Sequence, residues 1–250
     1  MITQPLFLGT FSLYSIILSG TAALGLFLSW LLSEDKRSFI LDAGLGIIFV
    51  SLLGGRVGFV LRNLAYFLEH PGQMPKFWLG GLSWPGAVIG AVLSVVAIHL
   101  IWKEPLGVLA DQFLPLLGAM AVGAWLLSWW TGTGYGPEVD AWFGITIQDL
   151  YGFSLKRWPL PILGALFCGG WTAGVILFPI KRQRDSGFRA LAGMAGILAV
   201  NGVLSFFKVD PVPVFWGLRW DSWFSLISLA SILIYFTISR TDKKNEGSNP

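Results

Sequence analysis

Residues 39–61 read FILDAGLGIIFVSLLGGRVGFVL, an apolar run in which Asp42 and Arg56 are the charged side chains. A membrane-spanning helix needs about 20 mostly apolar residues, and this run is long enough. Comparable runs lie on both sides of it, at 7–32, 84–102, 108–130, 160–180, 188–207 and 223–238. Backbone groups in hydrocarbon must be paired within their own segment, which favours helices. We therefore predict an all-α integral membrane protein with about seven transmembrane helices.

The composition argues against a soluble domain. Hydrophobic residues make up 54% of the 250-residue chain, charged residues make up 12%, and the mean hydropathy is +0.68. Soluble domains carry roughly a quarter charged residues. We expect one transmembrane domain over residues 1–240 and a polar, disordered tail over residues 241–250. The net charge of +3 is too small to indicate nucleic-acid binding.

The basic residues predict the orientation. If the N-terminus lies outside, the cytoplasmic ends of the runs carry Lys36, Arg37, Lys103, Lys181, Arg182, Arg184, Arg189, Arg240, Lys243 and Lys244. An excess of lysine and arginine on cytoplasmic loops favours this N-out, C-in arrangement and a cytoplasmic tail. Two longer outer connections, 62–83 and 131–159, are rich in aromatic residues. They form either a lid at the membrane surface or an aromatic belt that fixes depth.

Few ionisable side chains lie inside the apolar runs, where they are costly. Asp42 and Asp111 lie near helix starts, where the helix dipole favours a carboxylate, and His99 lies near a helix end, so structural roles are expected. Arg56 either directs its guanidinium at an anionic lipid headgroup or extends to the outer interface. Cys168, the single cysteine, should be buried and inert.

Five short segments match, in their order and spacing, the sequence pattern of a known protein family. They are Phe11-Ser12-Leu13-Tyr14, Gly54-Gly55-Arg56-Val57-Gly58, Gly80-Gly81-Leu82-Ser83, Gly132-Thr133-Gly134-Tyr135-Gly136 and Asp221-Ser222-Trp223. With them, the chain resembles the bacterial prolipoprotein diacylglyceryl transferases over almost its whole length. The resemblance implies an enzyme of the bacterial inner membrane. That enzyme transfers a diacylglyceryl group from phosphatidylglycerol to the lipobox cysteine of a prolipoprotein and releases glycerol phosphate.

The resemblance also implies the site residues. Tyr14 matches the family's tyrosine in the first helix and is the candidate catalytic residue, and Arg56 matches the arginine of its glycine-rich segment. Arg56, Lys208 and Arg219 are candidate ligands of the lipid phosphate, and the expected partners are an anionic phospholipid and the prolipoprotein signal peptide. The glycines of the matching segments, with Ser83 and Tyr135, are expected to shape the backbone. No cofactor or metal is expected, since the chain has no P-loop, zinc or dinucleotide motif.

The chain departs from the family pattern at polar positions. Pro85 stands where the family has a histidine, and the segment 123–127 lacks the family's arginine and asparagine. Three hypotheses therefore remain. The chain is a divergent transferase, or a protein of the same fold that binds anionic lipid or a signal helix without transfer. A small transporter is the weakest of the three, because no internal repeat or charged pathway is evident.

Overall fold

The computed structural model describes residues 7–8, 11–33, 37–149, 151–178 and 186–246, and helices dominate it. The helices are α1 (Leu13–Leu31), α2 (Arg37–Arg62), α3 (Leu64–Glu69), α4 (Trp84–Trp102), α5 (Leu106–Gln112), α6 (Leu114–Trp130), α7 (Leu160–Leu177), α8 (Phe188–Ser205) and α9 (Trp220–Glu246). Within the described residues, six of them are long and apolar enough to span a membrane, and α5 with α6 provides a seventh if the bent pair is one span. The predicted all-α membrane fold is confirmed.

The run at 108–130 is broken rather than continuous. Helices α5 and α6 meet at an angle of 48° around Phe113. Pro115, in the first turn of α6, has no backbone N–H and its ring would collide with the carbonyl of Asp111, four residues earlier. The bend therefore follows from the sequence, and it divides the run that we predict over residues 108–130.

Both ends of the chain differ from the prediction. Residues Phe7–Leu8 (β1) and Phe11–Ser12 (β2) pair as short antiparallel strands, so the first helix begins only at Leu13. At the other end, α9 continues to Glu246, through most of the segment for which we predicted disorder. Lysine and glutamate have high helix propensity, and they let a helix that leaves the apolar layer continue. Residues 247–250 lie outside the described part of the chain.

The spanning helices pack in the order α4, α2, α1, α6, α7, α8, α9. Ile40, Ile47, Leu109 and Phe113 belong to one buried cluster, which lies among α1, α2, α4, α5 and α6. Trp125, Leu160, Cys168 and Ile197 belong to a second, which lies among α6, α7 and α8. Cys168 is fully buried, as predicted.

Helices α2 and α4 approach each other through glycines. A Cβ on Gly54 would lie 2.5 Å from the carbonyl oxygen of Gly86 and 3.1 Å from the Cα of Gly90. A Cβ on Gly90 would lie 2.5 Å from the carbonyl oxygen of Val50 and 3.0 Å from the Cα of Ser51. The atoms in contact are backbone atoms, which cannot rotate away. Small residues at such crossings let membrane helices pack closely.

Replacing Gly90 with alanine is therefore expected to push α4 away from α2 and lower the free energy of unfolding by about 1–3 kcal/mol, the usual range for overpacking. Thermal unfolding of the purified protein in detergent measures the change. Gly46→Ala, also in a spanning helix, is the matched control, because its Cβ would meet nothing within 4 Å. Equal midpoints for the two variants would show that the crossing can relax without loss.

Asp111 and His99 have structural partners at one end of the helix bundle. The Asp111 carboxylate accepts hydrogen bonds from the backbone N–H groups of Gly187, at 2.8 Å, and Ala190, at 2.7 Å. Asp111 thus caps the first turn of α8, a helix more than 70 residues away along the chain. His99 Nδ1 lies 2.6 Å from the carbonyl oxygen of Glu104, in the connection to α5. Both contacts support the structural roles that we predicted.

The connections at the opposite end, which we call the outer end, contain short regular structure. Residues 62–83 contain α3 and two 3-10 turns, Pro71–Gln73 and Phe77–Leu79. Residues 131–159 contain an antiparallel hairpin of β3 (Ile145–Gln148) and β4 (Ser154–Arg157). A smaller hairpin of β5 (Val214–Phe215) and β6 (Leu218–Arg219) precedes α9. These elements bring the ends of α2, α6 and α8 together with the starts of α1, α4, α7 and α9.

Candidate functional site

Arg56 ties the first outer connection to α2. Its Nε donates to the carbonyl of Met74 at 2.6 Å, Nη2 donates to Gln73 at 2.6 Å, and Nη1 donates to Gly80 at 2.9 Å and Gly81 at 3.0 Å. The side chain is 9% exposed. A guanidinium carries five N–H groups, so most of its donors bind this loop. Arg56 is therefore held by protein carbonyls of the first outer connection, and the lipid-binding role that the resemblance implies for it stays a prediction.

Tyr14 lies against the same loop. It is buried, and a Cβ on Gly80 would lie 3.7 Å from Cε2 of its ring. Gly80 and Gly81 have φ values of +93° and +79°, which L side chains rarely adopt, so both positions need glycine. Ser83 donates its backbone N–H to the carbonyl of Gly55 at 2.9 Å. The structure thus brings Tyr14, Arg56 and the two glycine segments together at the outer end.

A second group of charged residues lies between α8 and α9. Lys208 Nζ is 3.6 Å from Asp221 Oδ2, and Arg219 Nε is 3.2 Å from Asp221 Oδ1. Arg219 also donates to the backbone carbonyl of Asp210 at 2.8 Å and lies 3.2 Å from its carboxylate. All four side chains are buried or nearly so. Ion pairs in such surroundings are much less screened than surface pairs.

Arg62, at the end of α2, adds a third cation. It is close enough to interact electrostatically with Asp221, Asp210 and Arg219, and its guanidinium lies 5.6 Å from the centre of the Trp220 ring. We call these five residues, Arg62, Lys208, Asp210, Arg219 and Asp221, the outer charge cluster. Three cations face two carboxylates within it, so the cluster has one excess positive charge.

The Trp125 ring packs against the ammonium group of Lys208. The ammonium lies 4.6 Å from the centre of the buried Trp125 ring, a cation–π contact. Gly164 of α7 contacts the same ring, and a Cβ there would overlap it. Burial lowers the pKa of the Lys208 amine, while Asp221 and Asp210 act in the opposite direction. Burial is the larger of these effects, so the pKa of Lys208 lies below its ordinary value, and the two carboxylates offset part of that shift.

The turn at 132–136 packs against the segment that carries Lys208. The Tyr135 carbonyl accepts the backbone N–H of Val209 at 3.0 Å, and the Arg157 guanidinium lies 4.4 Å from the centre of the Tyr135 ring. Burial raises the pKa of the Tyr135 hydroxyl, and the nearby Asp149 carboxylate adds to that effect. A Cβ on Gly132 would overlap the carbonyl of Gln148, and one on Gly136 would lie 2.7 Å from Cβ of Trp158. These glycines let the turn pack on the β3–β4 hairpin.

The sequence is similar to a known protein family. A family model described as prolipoprotein diacylglyceryl transferase matches residues 6–238. The chain belongs to this family.

Among its curated relatives are proteins named phosphatidylglycerol–prolipoprotein diacylglyceryl transferase. The relative from Hydrogenovibrio crunogenus is 26% identical over 216 residues, which cover 82% of this chain and 77% of the relative. The relative from Geobacter sulfurreducens is 29% identical over 185 residues, or 72% and 66% of the two chains. The relative from Bacillus velezensis is 32% identical over 116 residues, or 45% and 43%.

The departures of this prolipoprotein diacylglyceryl transferase family member can now be placed. Pro85 is buried in the first turn of α4, beside Trp84, whose ring packs edge-to-face on Phe224 at 5.0 Å. A proline there supplies neither a base nor an N–H donor. Trp125 stands on the segment where the family pattern has its arginine, and the Lys208 ammonium lies directly above it. A cation from the α8–α9 connection thus contacts the segment of α6 that lacks the family's arginine.

Sequence reasoning anticipated only part of this site. Tyr14 and Arg56 share one group, whereas Lys208 and Arg219 share the other, and the predicted role of each stays a prediction. Arg62 and the pairing of Asp210 with Arg219 were missed. A signal was present, because Asp210 and Arg219 flank an uncharged segment and could close it as an ion pair. No comparable feature of the sequence indicates that Arg62, at the end of α2, lies close to α9.

Proposed function

We propose that this protein transfers a diacylglyceryl group from phosphatidylglycerol to the cysteine thiol of a prolipoprotein, in the inner membrane of a bacterium. The observation that carries the proposal is the family match over residues 6–238. In the reaction, a C–S bond forms between the thiol sulfur and a glycerol carbon. The C–O bond to the phosphate breaks, glycerol phosphate leaves, and the thiol proton passes to a base.

The outer charge cluster is the proposed site for the lipid phosphate. An anion there would balance the excess positive charge of the five residues, and charge-assisted hydrogen bonds to phosphate are strong. The cluster lies at the outer end of the bundle beside Trp220, and tryptophan is enriched at the depth of lipid headgroups. Cations placed on the leaving phosphate stabilise the negative charge that develops in the transition state.

Arg56 and Tyr14 have different proposed roles. Arg56 holds the loop at 73–81 in place and so positions the Tyr14 ring, which packs on Gly80. Tyr14 is the proposed catalytic residue, because its hydroxyl can exchange a proton with the thiol. The signal peptide of the prolipoprotein would approach this loop from the outer leaflet.

The test is rescue of a conditional bacterial strain depleted of its own transferase, scored by the mobility of its lipoproteins. Lys208→Met removes a proposed phosphate ligand and should lower the transfer rate roughly a hundredfold or more, as loss of a charge-stabilising donor does. Lys208→Arg keeps the cation and should retain rescue. Lys76→Met, in the exposed part of the first outer connection, is the control and should rescue like wild type.

A second candidate function is lipid binding without transfer. Two observations favour it: Pro85 replaces the family's histidine, and both Lys208 and Arg219 are already paired with carboxylates. A folded, membrane-inserted chain that copurifies with phosphatidylglycerol but does not rescue the strain would support this candidate against the transferase. Rescue by wild type that Lys208→Met abolishes would support transfer.

A further inference from the structure

The hairpin between α8 and α9 exposes an entirely apolar segment. Residues 211–218 read PVPVFWGL and contain no charged or hydrogen-bonding side chain apart from the indole N–H of Trp216. Val214, Phe215 and Trp216 are 58%, 61% and 93% exposed. Phe206 and Val209, at the end of α8, extend the exposed apolar surface toward the hairpin. Exposed apolar surface of this kind marks a binding surface rather than a solvated loop.

The turn at the tip of this hairpin is strained. Trp216 and Gly217 have φ values of +48° and +76°, as the two central residues of a tight β-turn. Glycine adopts such angles freely, whereas asparagine or aspartate is the usual choice at the first position. A large side chain in the left-handed region costs about 1–3 kcal/mol and persists where the surroundings compensate it. Exposure of the whole indole to water would offer no such compensation.

Polar contacts fix the base of the hairpin to α9. Arg219 and Asp210 close the segment as an ion pair, the backbone N–H of Trp220 donates to Pro213 at 3.1 Å, and the Trp223 indole donates to Phe215 at 3.0 Å. Trp223 and Trp216 are also in edge-to-face contact, at 6.1 Å. These contacts connect the hairpin to the first turns of α9 at several points.

The surface of α9 identifies what the tip contacts. Ile227, Leu233 and Ile234 are exposed on this spanning helix, and apolar side chains on the outside of a membrane span suit contact with lipid chains. The charged residues between the apolar hairpin and this surface, Arg219 and Asp221, belong to the outer charge cluster and are 12% and 9% exposed. Tryptophan and phenylalanine in such a position match the chemistry of the membrane interface.

We propose that residues 211–218 insert their Phe215–Trp216 tip among the lipids of the outer leaflet, and that this anchor holds the outer charge cluster at the depth of the phospholipid phosphates. The link is direct, because Asp210 and Arg219 belong both to the base of the hairpin and to the cluster. The proposal concerns membrane depth and holds whether or not the protein transfers a diacylglyceryl group.

The test uses the full chain in nanodiscs of phosphatidylethanolamine and phosphatidylglycerol. Val214→Cys keeps Phe215 and Trp216 and accepts an environment-sensitive fluorophore, while the unsubstituted chain is the blank because its Cys168 is buried. Glu138→Cys, at an exposed position of the connection at 131–159, is the aqueous control. We expect a nitroxide on the lipid chain to quench the label at 214 several-fold more than iodide does, and the reverse at 138.

Two outcomes would overturn the proposal. If iodide quenches the label at 214 as strongly as at 138, the hairpin lies in water. If neither quencher reaches it, protein covers the hairpin, either a second copy of the chain or a bound peptide.

A second variant tests whether the tip residues set the depth of the hairpin. Adding Phe215→Ser and Trp216→Ser to the labelled chain should reduce quenching by the lipid nitroxide several-fold. Unchanged quenching would mean that the tip does not set the depth.

Discussion

Replacing Arg56 with methionine is expected to release the outer loop at 73–81 and to abolish transfer activity. Four carbonyls would lose a charged donor, and each hydrogen bond to a charged group contributes about 1.5–3 kcal/mol. Because such contributions are not additive, we expect a loss of at least about 3 kcal/mol in the free energy of unfolding. Methionine preserves much of the buried volume, so the lost charge and donors dominate the result.

Hydrogen exchange of the loop backbone and thermal unfolding in detergent measure the Arg56 effect. Arg56→Lys keeps the charge but offers three donors from one point, so it should fall between wild type and methionine. Arg189→Met changes an exposed arginine of α8 and should leave both measurements unchanged. If the loop of Arg56→Met exchanges as slowly as that of wild type, other contacts hold it and Arg56 is not the anchor.

Replacing Asp221 with alanine is expected to produce the second large loss. Lys208 and Arg219 would remain buried without their shared carboxylate, and breaking a buried ion pair by removing one partner costs about 3–5 kcal/mol. Asp210 would still face Arg219, so Lys208 should carry most of the penalty. Chemical or thermal unfolding in detergent gives the value.

The controls for Asp221→Ala test whether the loss of stability comes from the burial of the ion pair or from the loss of any ion pair. Glu138 also pairs with an arginine, Arg157, at 3.7 Å, but its side chain is 64% exposed. Glu138→Ala should therefore cost no more than about 1 kcal/mol, as for other surface pairs. Adding Lys208→Met to Asp221→Ala removes the stranded cation and should recover part of the stability. Equal losses for Asp221→Ala and Glu138→Ala would contradict the assignment of a buried cluster.

The two groups of the site differ in how far the sequence predicted them. Tyr14, Arg56, Gly80 and Gly81 were selected together from their match to family segments, and they do meet at the outer end. The contact partners of Arg56 were not foreseen, because they are backbone carbonyls, which every residue carries and no sequence pattern marks. The same limit applies to Asp111, whose acceptance of two N–H groups from α8 depends on how α5 packs.

The sequence alone indicated that the chain lies in a membrane, that it has about seven apolar runs, and which family it belongs to. Apolar length and local motifs do not depend on which helices are neighbours. Only the tertiary structure decided the charge balance around Lys208. Arg62 ends α2, Asp210 follows α8 and Asp221 begins α9, so nothing in their spacing places them together. Ion pairing acts through distance in space, and packing of the helices sets those distances.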